Sequence, residues 1–405
     1  MAKNKKFDVV VWGASGFTGR LVAEYLNQHY GADGGLSWAM AGRSAEKLKK
    51  VAEEIGADSQ PIILADAADP NSLGDMVEQT RVVCTTVGPY QRYGTALVAA
   101  CVEAGTDYVD LSGEPAWMRR MIDRYGGRAK ETGARIVHSC GFDSIPFDLG
   151  VFFLQNEAQR EFGAPCTEVK ARVKSMKGNV SGGTVASLSA TIDAGKKDKF
   201  VRAVMADPYA LAPDDTVERP RQPTGRRSHY DKDMKSWVAP FVMADINLRN
   251  IHRSNKLLGY AYGPAFLYSE MMMAPNAVAA NAIAGGLAAF VGALMIPPSR
   301  FALEKFVLPS PGEGPNKRQR EEGYFDVRFF GRAQSGDTVR AKVTGDRDPG
   351  YGSTSKMIAE AAACLALDAD KGMPGGGFWT PASAMGTALI ERLQENAGLT
   401  FERLT

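Results

Sequence analysis

The stretch VVVWGASGFTGRLVAEYL (residues 9–26) runs four apolar residues into three glycines spaced three apart, then into an apolar-periodic segment. Ordering a glycine costs more conformational entropy than ordering any other residue, so three at a strand-to-helix turn call for a reason. Gly13 permits the tight turn. Gly16 lets the backbone approach a pyrophosphate with no Cβ in the way, and Gly19 lets the helix pack close to the sheet. The helix N-terminus brings unpaired N–H groups and a partial positive charge, which suit a phosphate. Ala14, Ser15, Phe17 and Thr18 fill the turn, and Ser15 and Thr18 add hydroxyl donors. The spacing is G-x-x-G-x-x-G rather than G-x-G-x-x-G. A bare glycine triplet is weak evidence, but this one follows a strand and opens a helix at the head of a β–α series.

Outward from this turn, short apolar runs alternate with helical patterns. FDVVVWG, LSWAMAG, QPIILAD, RVVCTTVGP, DYVDLSG and ARIVHSCG read as six strands with a helix after each of the first five. Such regular alternation predicts an α/β fold with a doubly wound parallel sheet, assigned to residues 1–150. From 151 the pattern changes. TEVKARVKSM alternates as a half-exposed strand, residues 212–240 read as a long surface loop, and YFDVRFFGR with DTVRAKVTGDRD forms an antiparallel pair. Residues 151–350 are therefore expected to be an inserted α+β domain that carries the substrate. Residues 351–405 are expected to be helices packing back on the first domain.

The end of the second strand speaks to cofactor choice. An NAD enzyme places Asp or Glu there to hold the ribose hydroxyls. This chain has AGRS (41–44): Gly42 gives room, and Arg43 and Ser44 suit a 2′-phosphate by charge and hydrogen bonds. NADP(H) is the expected cofactor. Asp66, closing the third strand, is placed either to meet the adenine amino group or to serve as a helix N-terminal carboxylate. Val87, Gly88, Pro89 and Tyr90 follow the fourth strand, where the nicotinamide is expected. DLSGE (110–114) and SCGFDSIPFD (139–148) follow the fifth and sixth, and ligands of such sheets bind outside the carboxyl ends of strands.

Composition removes several classes. The chain has 405 residues, 44% hydrophobic and 23% charged, with a net charge of +2. That charge is too near zero to argue for a nucleic-acid partner. Five scattered cysteines without a C-x-x-C, and four histidines without ligand spacing, argue against a disulfide framework and against a metal site. The apolar run behind the N-terminal lysines is too short for a signal peptide, so a cytoplasmic location is expected. AVAANAIAGGLAAFVGALMI (277–296) carries no charge over its length. A membrane span is rejected, because the paired strands after it belong with the middle domain. A buried helix, a wall of an apolar substrate channel and a peripheral membrane contact remain open, the first being the default for an all-round apolar helix.

GASGFTG, AGRS, VGPYQRYG, DLSGE and CGFDSIPFD, with GDRDPGYG at 345–352, together resemble the saccharopine dehydrogenase-like oxidoreductase family, and within it the bacterial trans-acting enoyl reductase branch. The likeness runs over nearly the whole chain in the same motif order. It implies an NAD(P)-binding Rossmann domain and oxidoreductase activity, and in the mycobacterial branch reduction of a double bond on polyketide-derived lipid chains. A saccharopine reductase needs several fixed cationic contacts. GYAYGPAFLYSEMMMAP and the alanine-rich segment offer apolar surface instead, which favours a lipid-like or carrier-bound acyl substrate.

Hydride transfer to an enoyl group needs a proton donor and donors near the thioester oxygen. Tyr90, Asp143 and Tyr351 are the candidate proton donors. SGGT (181–184) is a candidate source of amides, and Arg219, Arg221, Arg226 and Arg227 are candidates to grip a carrier phosphate. Two other functions stay open: a saccharopine-type amino-acid oxidoreductase, and a non-catalytic nucleotide-binding scaffold at lipid membranes. A homodimer is also left open.

Overall fold

The computed structural model describes residues 5–31, 35–178, 182–214, 216–217, 219–306 and 314–405, apart from the side chains of Thr184, Val185, Pro297, Glu304 and Phe306. The first strands are β1 (Phe7–Trp12), β2 (Trp38–Gly42), β3 (Ile62–Leu64), β4 (Thr80–Thr85), β5 (Asp107–Val109) and β6 (Arg135–Val137). After them come β7 (Cys166–Lys177), β8 (His229–Asp231), β9 (Ser236–Pro240), β10 (Leu267–Ala274), β11 (Tyr324–Ala333) and β12 (Thr338–Gly345). β13 (Gly377–Trp379) and β14 (Leu399–Leu404) close the chain. They form two seven-stranded sheets, ordered β13-β6-β5-β4-β1-β2-β3 and β14-β12-β11-β7-β10-β9-β8.

Two compact units result: Met1–Phe142 with Gly312–Gly314 and Tyr351–Ala397, and Asp143–Pro311 with Pro315–Gly350 and Gly398–Thr405. The first is α/β and wholly parallel, the doubly wound arrangement. Its central strand β1 is almost wholly buried on both faces, which is why it reads as an unbroken apolar run. The strand order reverses between β1 and β4, and there the carboxyl ends open a ligand crevice. The helix Thr354–Leu367 belongs to this unit and is almost entirely buried. Its Glu360 accepts hydrogen bonds from Tyr25 (2.7 Å) and Tyr30 (2.8 Å) on the helix Phe17–Tyr30, which anchors the helix behind the glycine turn.

The second unit is built on a mixed sheet. β11 pairs antiparallel with β7 and β12, and β10 runs parallel to β7. Four expectations change. The boundary falls at 142/143 rather than 150, because the helix Ile145–Phe162 packs under β11 and β12 of the second unit. The tail is not all helical: residues 398–405 return to the second unit, where β14 pairs with β12 in a register that the helical tail pattern hid. The loop at 212–240 ends early, since β8 and β9 lie within it. Finally, the helix Ala277–Met295 is not buried: only Ala280 and Leu294 of its residues are.

Candidate functional site

In the first unit the glycine turn is tied to its neighbours by backbone contacts. The N–H groups of Gly13 (2.9 Å) and Ala14 (3.2 Å) donate to the Ala41 carbonyl of β2, and Gly16 N–H donates back to the Gly13 carbonyl (2.9 Å). Gly13 has a φ of +88°, and a Cβ there would stand 2.5 Å from Val87 Cγ2. A Cβ on Gly19 would stand 2.1 Å from the Gly13 carbonyl oxygen, so helix and strand meet at backbone distance. Gly16 is exposed, its φ is ordinary, and a Cβ would meet nothing closer than 3.3 Å. Its freedom from a side chain therefore serves what approaches the turn, not the fold. As the N-cap of Phe17–Tyr30 it supplies no side-chain cap, so that helix end stays electrostatically open.

The remaining cradle residues gather around this turn. A Cβ on Gly42 would lie 3.7 Å from Ser15 Oγ, and Ala65 N–H donates to the Gly42 carbonyl (3.1 Å), which places Asp66 beside AGRS. Arg43 is exposed, with no hydrogen bond or ion pair among the described residues. Ser44 caps the next helix by accepting from Lys47 N–H (3.3 Å), which leaves its proton able to donate. Asp66 turns its carboxylate onto the Ala68 N–H (2.9 Å), a local loop brace, while Asp69 is the N-cap of Pro70–Glu78. Thr18 is half-buried on the first turn. Phe17 packs edge-on against Tyr351, centroids 4.8 Å apart. These groups fit a dinucleotide: an open helix end for the diphosphate and an unpaired guanidinium beside the adenosine side.

Tyr90 departs from the proton-donor expectation. It is buried, and its hydroxyl accepts from Leu111 N–H (3.0 Å) and donates to the Thr85 carbonyl (3.3 Å). Burial and the Asp110 charge push it well above the usual tyrosine range. Its hydroxyl is spent on holding the β4 and β5 loops together. Glu114 completes that clamp: its two oxygens accept from the N–H groups of Tyr90 (2.8 Å) and Gln91 (2.9 Å), capping the helix Tyr90–Ala104 from 24 residues away. Val87, Gly88 and Pro89 are thus held by their neighbours, Val87 against Gly13. Tyr351 is also buried, edge-on to Phe17, where it backs the first helical residue after the glycine turn.

Asp110 is the hub of the loops after β5 and β6. It accepts from Tyr108 O–H (2.9 Å), from the N–H groups of Ser112 (2.9 Å) and Ser139 (3.0 Å), and from His138 Nδ1 (2.7 Å). Ser139 lies in the left-handed region at φ 64°, a conformation these bonds hold in place.

The second unit begins with Asp143, the third candidate donor. It is half-buried, with no hydrogen bond or ion pair among the described residues, and burial pushes its carboxyl up to about 6. Behind it runs a buried chain: Asn250 Nδ2 donates to Ser144 Oγ (2.9 Å), Ser144 Oγ to Asn247 Oδ1 (2.9 Å), and Asn247 Nδ2 to Glu270 (2.9 Å). Tyr268 O–H donates to the other Glu270 oxygen (2.7 Å). Burial lifts Glu270 to about 8, and the Asp143 charge adds to this, against the pull of its two hydrogen bonds and of Arg172. The sequence signal was a lone carboxylate in the apolar run LYSEMMMA, and its partner Asn247 lies on a different element.

A stability prediction follows from Glu270. The unfolded side chain ionises near 4.5 and the folded one near 8, so between these values unfolding releases a proton and stability falls as pH rises. Glu270→Gln should therefore match wild type in Tm near pH 4.5 and exceed it increasingly towards pH 8. A difference that does not grow with pH would remove the assignment.

The loop that carries Arg219, Arg221, Arg226 and Arg227 runs against β10, where a Cβ on Gly225 would stand 3.3 Å from the Glu270 carbonyl oxygen. Ser181 and the Thr184 side chain of the SGGT turn lie outside the described residues. Arg219 donates to the Asp214 carbonyl (2.8 Å), and Arg221, Arg226 and Arg227 are exposed.

Comparison with known proteins gives the family of the chain. Residues 9–137 match the saccharopine dehydrogenase NADP binding domain. A Mycobacterium tuberculosis relative named provisionally as a trans-acting enoyl reductase is 42% identical over 99% of this chain and 98% of its own length. The trans-acting enoyl reductase of Mycobacterium bovis is 39% identical over 96% of each chain. Among solved structures, the glutamate-forming saccharopine dehydrogenase of Saccharomyces cerevisiae superposes with a TM-score of 0.54 at 13% identity, covering 98% of this chain and 100% of that one. At that identity the last match speaks to the fold.

Proposed function

The chain belongs to the saccharopine dehydrogenase-like oxidoreductases, in the branch of the trans-acting enoyl reductases, and from that premise we propose that it reduces the enoyl double bond of a carrier-bound, lipid-like acyl chain with NADPH. The near-complete match to relatives bearing that name supports this reading most. When bound, NADPH supplies the hydride. The chain's own residues do the rest. The turn Gly13–Gly19 and the open end of its helix hold the diphosphate, and Arg43 with Ser44 holds the 2′-phosphate. Glu114 and Asp110 fix the loops after β4, β5 and β6, which keeps the cradle in shape before the nucleotide arrives. Asp143 donates the proton to the carbon next to the thioester, and its own burial favours the protonated form.

The direct test follows NADPH absorbance with enoyl thioesters on coenzyme A, on pantetheine and on an acyl carrier protein, with saturated thioesters and a lysine-derived imine as controls. Oxidation only with the enoyl substrates is the expected result, and oxidation only with the imine would overturn it. Cofactor choice has its own test. Arg43→Ala should weaken NADPH binding about 10–100-fold and leave NADH binding nearly unchanged, the size expected for a lost charge-assisted contact to phosphate. An unchanged ratio of the two Kd values by calorimetry would remove Arg43 from that role.

A further inference from the structure

The helix Ala277–Met295 and the start of the next one leave a large apolar surface uncovered. Val278 is 79% exposed, Met295 52%, Ile296 57% and Phe301 63%. Exposed apolar area of this kind is rare on a soluble chain unless something covers it. The rim is basic at both ends. Near the first, Ser228 is hydrogen-bonded to Asn281, which brings the exposed Arg226 and Arg227 alongside. At the second, Lys196 Nζ donates to the Met295 carbonyl (3.0 Å), Lys197 is exposed beside it, and Lys305 Nζ stands 5.5 Å from the Phe301 ring centroid. The acidic group described there, Asp193, is paired with Arg300 (2.7 Å).

We propose that this face binds an anionic phospholipid surface, the helix lying flat at the headgroup level with Met295, Ile296 and Phe301 inserted and the basic rim on the lipid phosphates. The helix does not cross the bilayer: the strands before and after it, β10 and β11, both pair with β7 in one sheet. A second copy of the chain is the poorer occupant. Pairing this helix with its own copy sets cationic ends against cationic ends whether the two run parallel or antiparallel, and like charges across an interface oppose binding. An anionic surface neutralises both ends at once. The proposal is independent of the reductase chemistry, since lipid binding is read without substrate.

Vesicle flotation of the full chain tests it, with phosphatidylcholine alone against phosphatidylcholine containing about one third phosphatidylglycerol. Wild type should float with the anionic vesicles only and release in high salt. Ile296→Glu with Phe301→Glu should cut binding at least about tenfold, because charge replaces the inserted apolar groups. Arg226→Gln, Arg227→Gln, Lys196→Gln and Lys197→Gln together should also cut it at least about tenfold, since each basic residue near such a surface contributes about fivefold. All these positions are exposed, so NADPH binding by calorimetry should match wild type and show that the variants fold. Failure of wild type to float, equal flotation with neutral vesicles, flotation that survives either set of substitutions, or a concentration-dependent dimer lost in Ile296→Glu without any vesicle binding would each overturn the proposal. None of these outcomes touches NADPH oxidation, so the two readings fail separately.

Discussion

Gly19→Ala should lose NADPH affinity by about 100-fold or more and lower Tm as well. The added methyl would stand 2.1 Å from the Gly13 carbonyl oxygen, 2.7 Å from its carbon and 3.0 Å from Ala14 Cα. These are backbone atoms, and none can rotate away. Helix Phe17–Tyr30 must then move off β1, and overpacking of this kind costs about 1–3 kcal/mol. The same movement carries the phosphate-binding helix end away from the turn, which adds the loss in affinity. Gly16→Ala separates the two effects. Its methyl would meet only the Gly13 carbonyl oxygen, at 3.3 Å, and its φ of −83° is open to any residue. Tm should therefore stay close to wild type while NADPH affinity falls at least about tenfold, because the methyl occupies the place of the diphosphate. Full-strength NADPH binding by Gly16→Ala would show that no dinucleotide lies against this turn.

Asp143→Asn should lower kcat by about 10²–10⁴-fold, the usual contribution of a positioned proton donor. Asn matches the shape of Asp, and Asp143 has no hydrogen bond or ion pair among the described residues, so NADPH affinity should hold and Tm should not fall. The pH profile carries the sharper test. A donor is active when protonated, so wild-type kcat should fall as pH rises through about 6, the value to which burial lifts this carboxyl. In Asp143→Asn that limb should vanish. Glu270→Gln should keep most of its activity and leave the limb near 6, since Glu270 is itself protonated through that range and burial alone lifts Asp143. A profile identical in all three proteins would assign the proton to another group.

What the sequence by itself determined is whatever the chain encodes over short spans. Gly13, Gly16 and Gly19 between an apolar run and a periodic one specify a strand, a turn and a helix. Five repetitions of that pattern specify a parallel sheet. Only the tertiary structure decided what depends on partners far along the chain. Tyr90 read as a free phenol at the end of β4, but Leu111 N–H and Glu114 claim that loop from the next strand. Glu270 acquires its character from burial, from Asn247 and from Asp143, none of which its own strand reveals. The helix Ala277–Met295 has the composition of a core element, yet only its Ala280 and Leu294 find neighbours enough to be buried. Propensity and periodicity are local. Burial and charge are sums over neighbours that folding alone assembles.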